Sequence, residues 1–267
     1  MIKTAYVIGS NTKKSLSPYI FKYWFKKYQI DGRYLYKQIK PEKFQEEIKK
    51  ILNQKNLCGF NVTIPYKETI KNKIDTIDYH AKKIGAVNFV SKENNKWVGK
   101  NTDWTGFLNS INSIFKENEG LKATIIGYGG ASKSIIYALK KKGFKEINIY
   151  NRSPKKIKKL INKKGINIID LKDISLAIDR SSIVVNTVPI DLVSPLLSKQ
   201  NKKNIFAYDL VYRPKETGFL SNFKKNKRLY GISMLVHQAA PCFEAWFGVK
   251  PIIDEEIFIF LYKNYLK

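Results

Sequence analysis

The sequence predicts an α/β protein of two domains, a mixed or parallel α/β domain at the N-terminus and a doubly wound domain after it. Short apolar strand patterns alternate with amphipathic helix patterns along the whole chain. Such alternation is typical of parallel sheets with right-handed crossovers. The 267 residues are enough for two domains of ordinary size, each with its own core.

The first part of the chain predicts three strands, two helices and a strand pair. Pro18 in the first turn and Ser17 as N-cap indicate the start of the first helix. In the second helix, Phe44, Ile48, Ile51 and Leu52 share one face. The predicted strands are 6–9, 34–39, 58–64, 86–90 and 97–100, and the predicted helices are 18–29 and 41–52.

The second part predicts another alternating series. Its strands are 123–126, 147–150, 167–169, 183–186 and 206–210, and helices are expected at 104–115, 134–142, 233–247 and 255–265. We expect one domain to comprise residues 1–103 plus 239–267 and the other to comprise 104–238.

Composition excludes several classes of protein. Cys58 and Cys242 are the only cysteines, which is too few for a disulfide framework, and no C-x-x-C motif is present. His80 and His237 are the only histidines, so we expect no metal site. No apolar run approaches the roughly 18 residues of a membrane span, and the first residues lack a signal-peptide pattern. We therefore expect a reducing cytoplasm and no membrane partner.

The net charge of +27 suggests nucleic acid as a possible partner. The lysines are spread along the chain, however, and do not form one arm or recognition helix. This spacing favours solvated helix faces and no specific nucleic-acid partner, although a basic surface attracts anionic metabolites. A basic nucleic-acid-binding protein on a degenerate enzyme scaffold stays open as an alternative.

A glycine turn follows the strand 123–126. Gly127 allows a tight turn, and Gly129 lets backbone amides approach a pyrophosphate at the start of the next helix. Gly130 and Ala131 complete the turn, and Ser132 stands where a strict G-x-G-x-x-G motif has its third glycine. This strand–turn–helix pattern predicts a Rossmann-like dinucleotide site.

The strand 147–150 leads into Asn151, Arg152 and Ser153. An NAD site normally has Asp or Glu there to bind the ribose 2′-hydroxyl. A guanidinium instead binds a 2′-phosphate by charge-assisted hydrogen bonds, and Lys155 and Lys156 follow. The sequence therefore predicts NADP(H).

Polar residues also gather at predicted strand ends in the first part, where ligands bind in open α/β sheets. They include Ser15 and Ser17, the Asn61–Lys67 run with Thr63 and Lys67, Asn88, and Asp103. Each one alone also fits a helix cap, a turn or a solvated surface.

Taken in order, these motifs resemble those of the shikimate dehydrogenase family over essentially the whole chain. The shared motifs are S-x-S, N-V-T-x-P-x-K, G-A-x-N, N-T-D, G-x-G-G-A, N-R-[ST] and a late G-x-x-M-L-x-x-Q at residues 231–238. The resemblance implies NADPH-dependent reduction of 3-dehydroshikimate to shikimate in aromatic amino-acid biosynthesis, by a monomer or a homodimer.

The resemblance also implies residue roles. The catalytic pair would be Lys67 and Asp103. Both would also bind substrate, together with Ser15 and Ser17 at its carboxylate and Thr63, Asn88, Tyr212 and Gln238 at its hydroxyls. The cofactor would be bound by Gly127, Gly129, Gly130, Ala131, Asn151, Arg152, Ser153, Thr187, Val188, Gly231 and Met234.

The chemistry of ketone reduction independently favours Lys67, because the developing alkoxide needs a proton donor. His80 lies in a polar helical stretch and His237 has no evident acidic partner. We therefore expect Lys67 to act as general acid/base and Asp103 to orient it.

The chain departs from the family pattern at three places. Trp104 follows N-T-D where glycine is usual, Tyr128 replaces a small residue, and the loop after Asn186 is shortened to Thr187-Val188-Pro189. A quinate or dual quinate/shikimate dehydrogenase using NAD or NADP is the nearest alternative. A methylenetetrahydrofolate dehydrogenase would leave the serine pair and N-T-D without a purpose, and a methyltransferase would need an acidic residue in place of Arg152.

Overall fold

The computed structural model describes residues 2–115, 120–153, 157, 163–197 and 204–266. The chain divides into two compact units. Unit 1 consists of Met1–Gly106 with Leu235–Tyr265, and unit 2 consists of Phe107–Met234 with the last two residues. These divisions lie within a few residues of the domain ends expected at 103 and 238. The functional roles of the two domains stay predictions.

Unit 1 is built on a mixed six-stranded sheet. Its strands are β1 (Lys3–Gly9), β2 (Gly32–Gln38), β3 (Leu57–Val62), β4 (Thr76–Ile77), β5 (Phe89–Glu93) and β6 (Lys96–Lys100). The strand order is β2-β1-β3-β5-β6-β4. β1 pairs in parallel with β2 and β3, whereas β5 is antiparallel to both β3 and β6. The expectation of a mixed α/β sheet in the N-terminal part is confirmed.

The helices of unit 1 are α1 (Ser17–Lys27), α2 (Phe44–Leu52), α3 (Tyr79–Ile84) and α9 (Glu255–Tyr265), with the start of α4 (Asp103–Ile111) and most of α8 (Gly231–Phe247). The predicted apolar face of α2 is confirmed: Phe44, Ile48 and Ile51 are buried in the core, and Leu52 packs against it. The prediction of Ser17 as N-cap is wrong, because Ser17 is the first helical residue and Leu16 occupies the N-cap position.

Aromatic rings of α8 fill part of the core of unit 1. The ring of Phe21 on α1 lies 5.5 Å from that of Phe243, 5.9 Å from that of Trp246 and 6.2 Å from that of Phe247. The Trp246 indole N–H also donates to the Val90 carbonyl, at 3.3 Å. The C-terminal segment is therefore an integral part of this core.

Unit 2 is built on a parallel six-stranded sheet. Its strands are β7 (Lys122–Ile126), β8 (Glu146–Tyr150), β9 (Ile166–Ile168), β10 (Ile183–Asn186), β11 (Phe206–Asp209) and β12 (Arg228–Tyr230). Their order is β12-β11-β10-β7-β8-β9, with every pair parallel. This is the doubly wound order of a Rossmann fold, and it places the point where strand order reverses between β7 and β10. The expected fold class is confirmed.

The helices described in unit 2 are α5 (Gly130–Lys141), α6 (Ile174–Asp179), α7 (Gly218–Ser221) and the remainder of α4 and α8. Apolar side chains from the sheet, α6 and α7 form a buried cluster that includes Ile126, Val184 and Phe219. Within the described ranges, no helix is long and apolar enough to cross a membrane.

Candidate active site

The turn after β3 holds Lys67 by anchoring the neighbouring residue Tyr66. The Tyr66 ring is buried and stacks on Phe44, with ring centroids 4.1 Å apart. Its hydroxyl donates to the Ile39 carbonyl at 2.7 Å. The Lys67 carbonyl accepts from the Val87 amide, also at 2.7 Å. The backbone of Lys67 is therefore held from both sides, at the carboxyl edge of the sheet of unit 1.

The Lys67 ammonium forms an ion pair with Asp103. The distance from Lys67 Nζ to Asp103 Oδ2 is 2.6 Å, and the two side chains are only 14% and 6% exposed. Asp103 begins α4, where the positive end of the helix dipole favours a carboxylate. The structure thus brings the two residues of the predicted catalytic pair together, largely shielded from solvent.

The amide of Asn88 fixes the other carboxylate oxygen of Asp103. Asn88 Oδ1 accepts from the Thr102 backbone N–H at 2.6 Å, so the Asn88 NH₂ group must face the opposite way. That group lies 2.9 Å from Asp103 Oδ1 and 3.2 Å from Gln238 Oε1. Four predicted substrate residues, Lys67, Asp103, Asn88 and Gln238, are thereby joined in one hydrogen-bonded group.

Buried polar residues to which the sequence analysis gave no substrate or cofactor role support this group. Asn61 Nδ2 donates to the Asn88 carbonyl at 3.0 Å and to Cys242 Sγ at 3.3 Å. Cys242 Sγ lies 3.6 Å from Thr102 Oγ1. Asn61 and Thr102 stand inside the quoted motifs N-V-T and N-T-D, whereas no local sequence signal marks Cys242.

The Cys242 thiol is a hydrogen-bonding partner and not a nucleophile. It is fully buried, and this desolvation raises its pKa to about 12. Only the thiolate is an effective nucleophile. Burial also raises the pKa of Tyr34, whose hydroxyl donates to Asn61 Oδ1 at 2.8 Å. The residues behind Asn88 are therefore neutral.

Ser15 and Ser17 form a separate pair at the start of α1. Ser15 Oγ accepts from the Ser17 backbone N–H at 3.2 Å and donates to Ser17 Oγ at 3.1 Å. Thr63 follows β3 and is held by its amide, which donates to the Ile8 carbonyl at 2.8 Å. These three predicted residues lie in unit 1, whereas Tyr212 lies in unit 2, after β11.

In unit 2, the glycine turn after β7 has the geometry that its residues predict. Gly127 has a φ of +102°, and a Cβ atom there would lie 2.6 Å from both Thr187 Oγ1 and Val188 Cγ1. Only glycine meets both requirements. A Cβ at Gly129 would have no atom within 4 Å, and α5 begins directly after it. The turn has the open space and the free helix amides that a pyrophosphate requires.

The end of β8 also fits a phosphorylated ribose. Asn151 Nδ2 donates to the Ser153 carbonyl at 2.8 Å, which closes a turn. Arg152 and Ser153 are exposed, so the guanidinium is accessible to an anion. Lys155 and Lys156 lie outside the described residues. Residues 151–153 after β8 therefore carry a cation and no acidic side chain, at the position that distinguishes NADP from NAD sites.

The remaining predicted cofactor residues lie after β10, at Thr187 and Val188, and after β12 in the first turn of α8, at Gly231 and Met234. The side chain of Asn186 closes the shortened loop by bonding both the carbonyl and the amide of Val188, at 3.1 and 3.3 Å. A Cβ at Gly231 would lie 2.5 Å from the Leu210 carbonyl oxygen, so close backbone approach requires glycine there. The Met234 amide donates to the buried Tyr208 hydroxyl at 3.2 Å.

Asp209 was not selected from the sequence, although it is almost completely buried at the end of β11. Its carboxylate accepts from Thr217 Oγ1 at 2.6 Å, from the Val211 amide at 3.0 Å and from Asn186 Nδ2 at 3.0 Å. Desolvation raises its pKa despite these bonds. Asp209 thereby orders the loop that leads to Tyr212.

The family departures at Trp104 and Tyr128 make local ring contacts. The Trp104 ring lies 4.9 Å from that of His80 in unit 1. The Lys133 ammonium lies 5.5 Å from the centre of the Tyr128 ring in unit 2. Among the described residues, no group of three or more His, Cys, Asp or Glu side chains could hold a metal ion.

Comparison with known proteins identifies the family. The family model for the shikimate dehydrogenase substrate binding domain matches residues 7–90, and that for shikimate/quinate 5-dehydrogenase matches residues 109–207. The chain belongs to the shikimate dehydrogenase family. The resemblance inferred from the motifs is therefore confirmed.

Individual relatives agree over nearly the full length. A shikimate dehydrogenase (NADP(+)) of Clostridium botulinum (strain Hall) is 38% identical over 91% of this chain and 96% of its own. The crystal structure of shikimate dehydrogenase from Aquifex aeolicus is 32% identical, with a TM-score of 0.83 and 96% of each chain covered. That of the Thermus thermophilus enzyme with NADP(H) and shikimate is 27% identical, with a TM-score of 0.78 and 94% and 95% coverage.

Proposed function

We propose that this protein is an NADP-dependent shikimate dehydrogenase, which reversibly reduces 3-dehydroshikimate to shikimate. The observation that carries the proposal is the buried Lys67–Asp103 pair at the carboxyl edge of the sheet in unit 1, with Asn88 bonded to the second carboxylate oxygen. In a chain of this family, such a pair supplies the proton donor that ketone reduction needs.

Unit 1 provides most of the substrate contacts in this proposal. The Ser15 and Ser17 hydroxyls bind the substrate carboxylate. The substrate hydroxyls are bound by Thr63, Asn88, Gln238 and Tyr212, with Lys67 and Asp103. Because Asn88 and Gln238 are already bonded to each other, a substrate hydroxyl there exchanges one hydrogen bond for another.

The proton is handled by the ion pair. When bound, the nicotinamide of NADPH supplies the hydride that reduces the ketone carbon. The Lys67 ammonium donates a proton to the carbonyl oxygen as negative charge develops on it, and takes that proton back in the oxidation of shikimate. Asp103 orients the ammonium and, through its fixed carboxylate, holds the neighbouring substrate hydroxyl.

Unit 2 binds NADP(H) in this proposal. The turn formed by Gly127, Gly129, Gly130 and Ala131 receives the pyrophosphate, and Arg152, with Asn151 and Ser153, binds the 2′-phosphate. Thr187, Val188, Gly231 and Met234 border the nicotinamide. The proposal places the protein in the cytoplasm, as a monomer or homodimer without a specific nucleic-acid partner.

The proposal is tested by following nicotinamide absorbance with shikimate or quinate crossed against NADP⁺ or NAD⁺. Rapid turnover only with shikimate and NADP⁺ is expected. Comparable turnover with quinate or NAD⁺ would favour the dual-specificity alternative. No turnover with any pair, together with duplex DNA binding that persists at physiological salt, would favour the nucleic-acid alternative.

A further inference from the structure

Three hydrogen bonds run in series through the nucleotide-binding turn of unit 2. The Gly129 amide donates to Ser132 Oγ at 3.1 Å. Ser132 Oγ lies 2.6 Å from Thr187 Oγ1, and Thr187 Oγ1 lies 2.7 Å from the Ile126 carbonyl oxygen. This hydroxyl chain connects the turn after β7 to the end of β10.

The two ends of the hydroxyl chain set its direction. An amide can only donate and a carbonyl oxygen can only accept. The Thr187 hydroxyl therefore donates to Ile126 and accepts from the Ser132 hydroxyl, which itself accepts from Gly129. Both hydroxyl hydrogens are used. Ser132 is 1% exposed, so its hydroxyl makes these bonds away from bulk water, whereas its partners Gly129 and Thr187 are exposed and half-buried.

The hydroxyl chain also decides which amides remain for an anion. The Gly129 amide is turned toward Ser132. The next two amides, those of Gly130 and Ala131, open α5 and have no partner within the helix. A Cβ at Gly127 would lie 2.6 Å from Thr187 Oγ1, so Thr187, directly after β10, packs tightly against the turn.

We infer that Ser132 is a positioning residue for cofactor binding: with Thr187, its hydroxyl locks the glycine turn so that the Gly130 and Ala131 amides, and not the Gly129 amide, hold the NADP(H) pyrophosphate. Serine at this position thus bonds the turn to β10, which a third glycine could not do. The inference rests on the proposed function, because it assumes that NADP(H) binds this turn.

The test compares NADP⁺ dissociation constants of the full-length protein, measured by isothermal titration calorimetry. Ser132→Ala should weaken NADP⁺ binding about ten-fold, because it removes two part-buried hydrogen bonds, the one from the Gly129 amide and the one to Thr187. Ser134→Ala is the matched control. Ser134 is equally buried on α5, but its hydroxyl donates to the Gly130 carbonyl of the same helix at 3.2 Å, so its loss should leave NADP⁺ binding unchanged.

A second pair of variants tests the other end of the hydroxyl chain. Thr187→Val keeps the shape of the side chain and removes the hydroxyl, so it should also weaken binding about ten-fold. Thr187→Ser keeps the hydroxyl and should bind NADP⁺ more tightly than Thr187→Val does. Amide exchange of Gly129, followed by NMR, should be faster in Ser132→Ala than in Ser134→Ala, because only the first loses its acceptor.

The outcomes separate the two proposals. Wild-type protein that binds no NADP⁺ would contradict the proposed function itself. Wild-type binding with equal dissociation constants for Ser132→Ala and Ser134→Ala would overturn the positioning role alone. Tighter binding by Ser132→Ala would also overturn it, since the Gly129 amide would then be serving the cofactor.

Discussion

The carboxylate of Asp103 has a partner on each oxygen, and this determines where the neighbouring ammonium points. Lys67 Nζ bonds Oδ2, whereas the Asn88 amide bonds Oδ1. Asn88 cannot flip without losing the Thr102 amide that donates to its own oxygen. The Lys67 ammonium is therefore held in place by Asp103 and Asn88, whose side chains are themselves fixed by hydrogen bonds.

Replacing Lys67 by alanine should depress turnover with little change in the KM for shikimate. The variant loses the proton donor but keeps the serine pair and the amide groups that bind substrate. General acid catalysis contributes about 10²- to 10⁴-fold, so kcat should fall by that factor in the absorbance assay. Lys71→Ala, at an exposed lysine four residues on, should keep wild-type kcat. Near-normal turnover by Lys67→Ala would remove Lys67 from the catalytic role.

Local motifs are sufficient to find the residues of the ion pair, but not Cys242 or the contacts that Asn61 and Cys242 make behind them. Lys67 and Asp103 stand in runs whose order is itself informative. Asn61 and Cys242, in contrast, are 181 positions apart in sequence and meet only after folding. A buried cysteine in an apolar helix looks like any other small core residue, so its hydrogen bonds can be read only from coordinates.

At the scale of elements, α8 places a histidine in an apolar setting. His237 is partly buried on this helix, and desolvation lowers its pKa below the ordinary value. The folded protein therefore favours neutral His237 more than the unfolded chain does. The stability of the protein should therefore depend on pH through His237 on this helix.

The unfolding free energy should lose a contribution from His237 as the pH falls below about 6.5, the ordinary histidine pKa. In that range the unfolded chain binds the proton first, so the stabilisation present at higher pH is lost as the pH falls through the lowered folded pKa. Urea denaturation at pH 7.5 and 5.0 should show a smaller acid-induced loss for His237→Gln than for wild type. Carboxylates affect both proteins alike and cancel in the comparison. An identical loss in both would contradict this prediction.

Most elements follow from the sequence pattern, whereas two of the shortest strands do not. The strand at 183–186 was predicted with the bounds that it has in the structure. The two residues of β4 and the three of β12 were missed, whereas β9 (Ile166–Ile168) was expected at 167–169. A segment of two or three residues has too few positions to show a period of two, so it is found only where the alternation with helices marks it, and its strand geometry depends on the neighbouring strand that it pairs with.

At the scale of the whole molecule, the feature that bears most on stability is the large net positive charge. The net charge is +27, and the ion pairs among described residues, such as that of Lys27 with Asp254, engage only part of the cationic surface. A large net charge destabilises the compact state through self-repulsion. This repulsion acts over long distances and depends on ionic strength.

The melting temperature should therefore rise when NaCl is raised from about 10 to about 500 mM, because the Debye length falls from roughly 30 Å to a few ångströms. Differential scanning calorimetry measures this directly. A triple variant with glutamine at exposed Lys49, Lys55 and Lys71 should show a smaller rise. Equal rises in both proteins would assign the effect to the salt and not to charge repulsion.

The alternation of apolar patterns was enough to predict two α/β domains, but not the order of strands in unit 1. The placement of β5 antiparallel between β3 and β6 depends on contacts distant in sequence. In unit 2 the glycine turn limited the possible strand orders, since a dinucleotide pattern implies the doubly wound order.

The aromatic core of unit 1 has a consequence for how the protein is made. Phe21 is synthesised before unit 2, whereas Phe243, Trp246 and Phe247, which pack around it, are synthesised after unit 2. All six strands of unit 2 lie between Lys122 and Tyr230 and have been translated before then. Unit 2 can therefore fold on the nascent chain before the segment around Phe21 gains the residues from Leu235 onward that complete its core. A premature stop codon between unit 2 and Phe243 would release a chain in which the segment around Phe21 lacks its core.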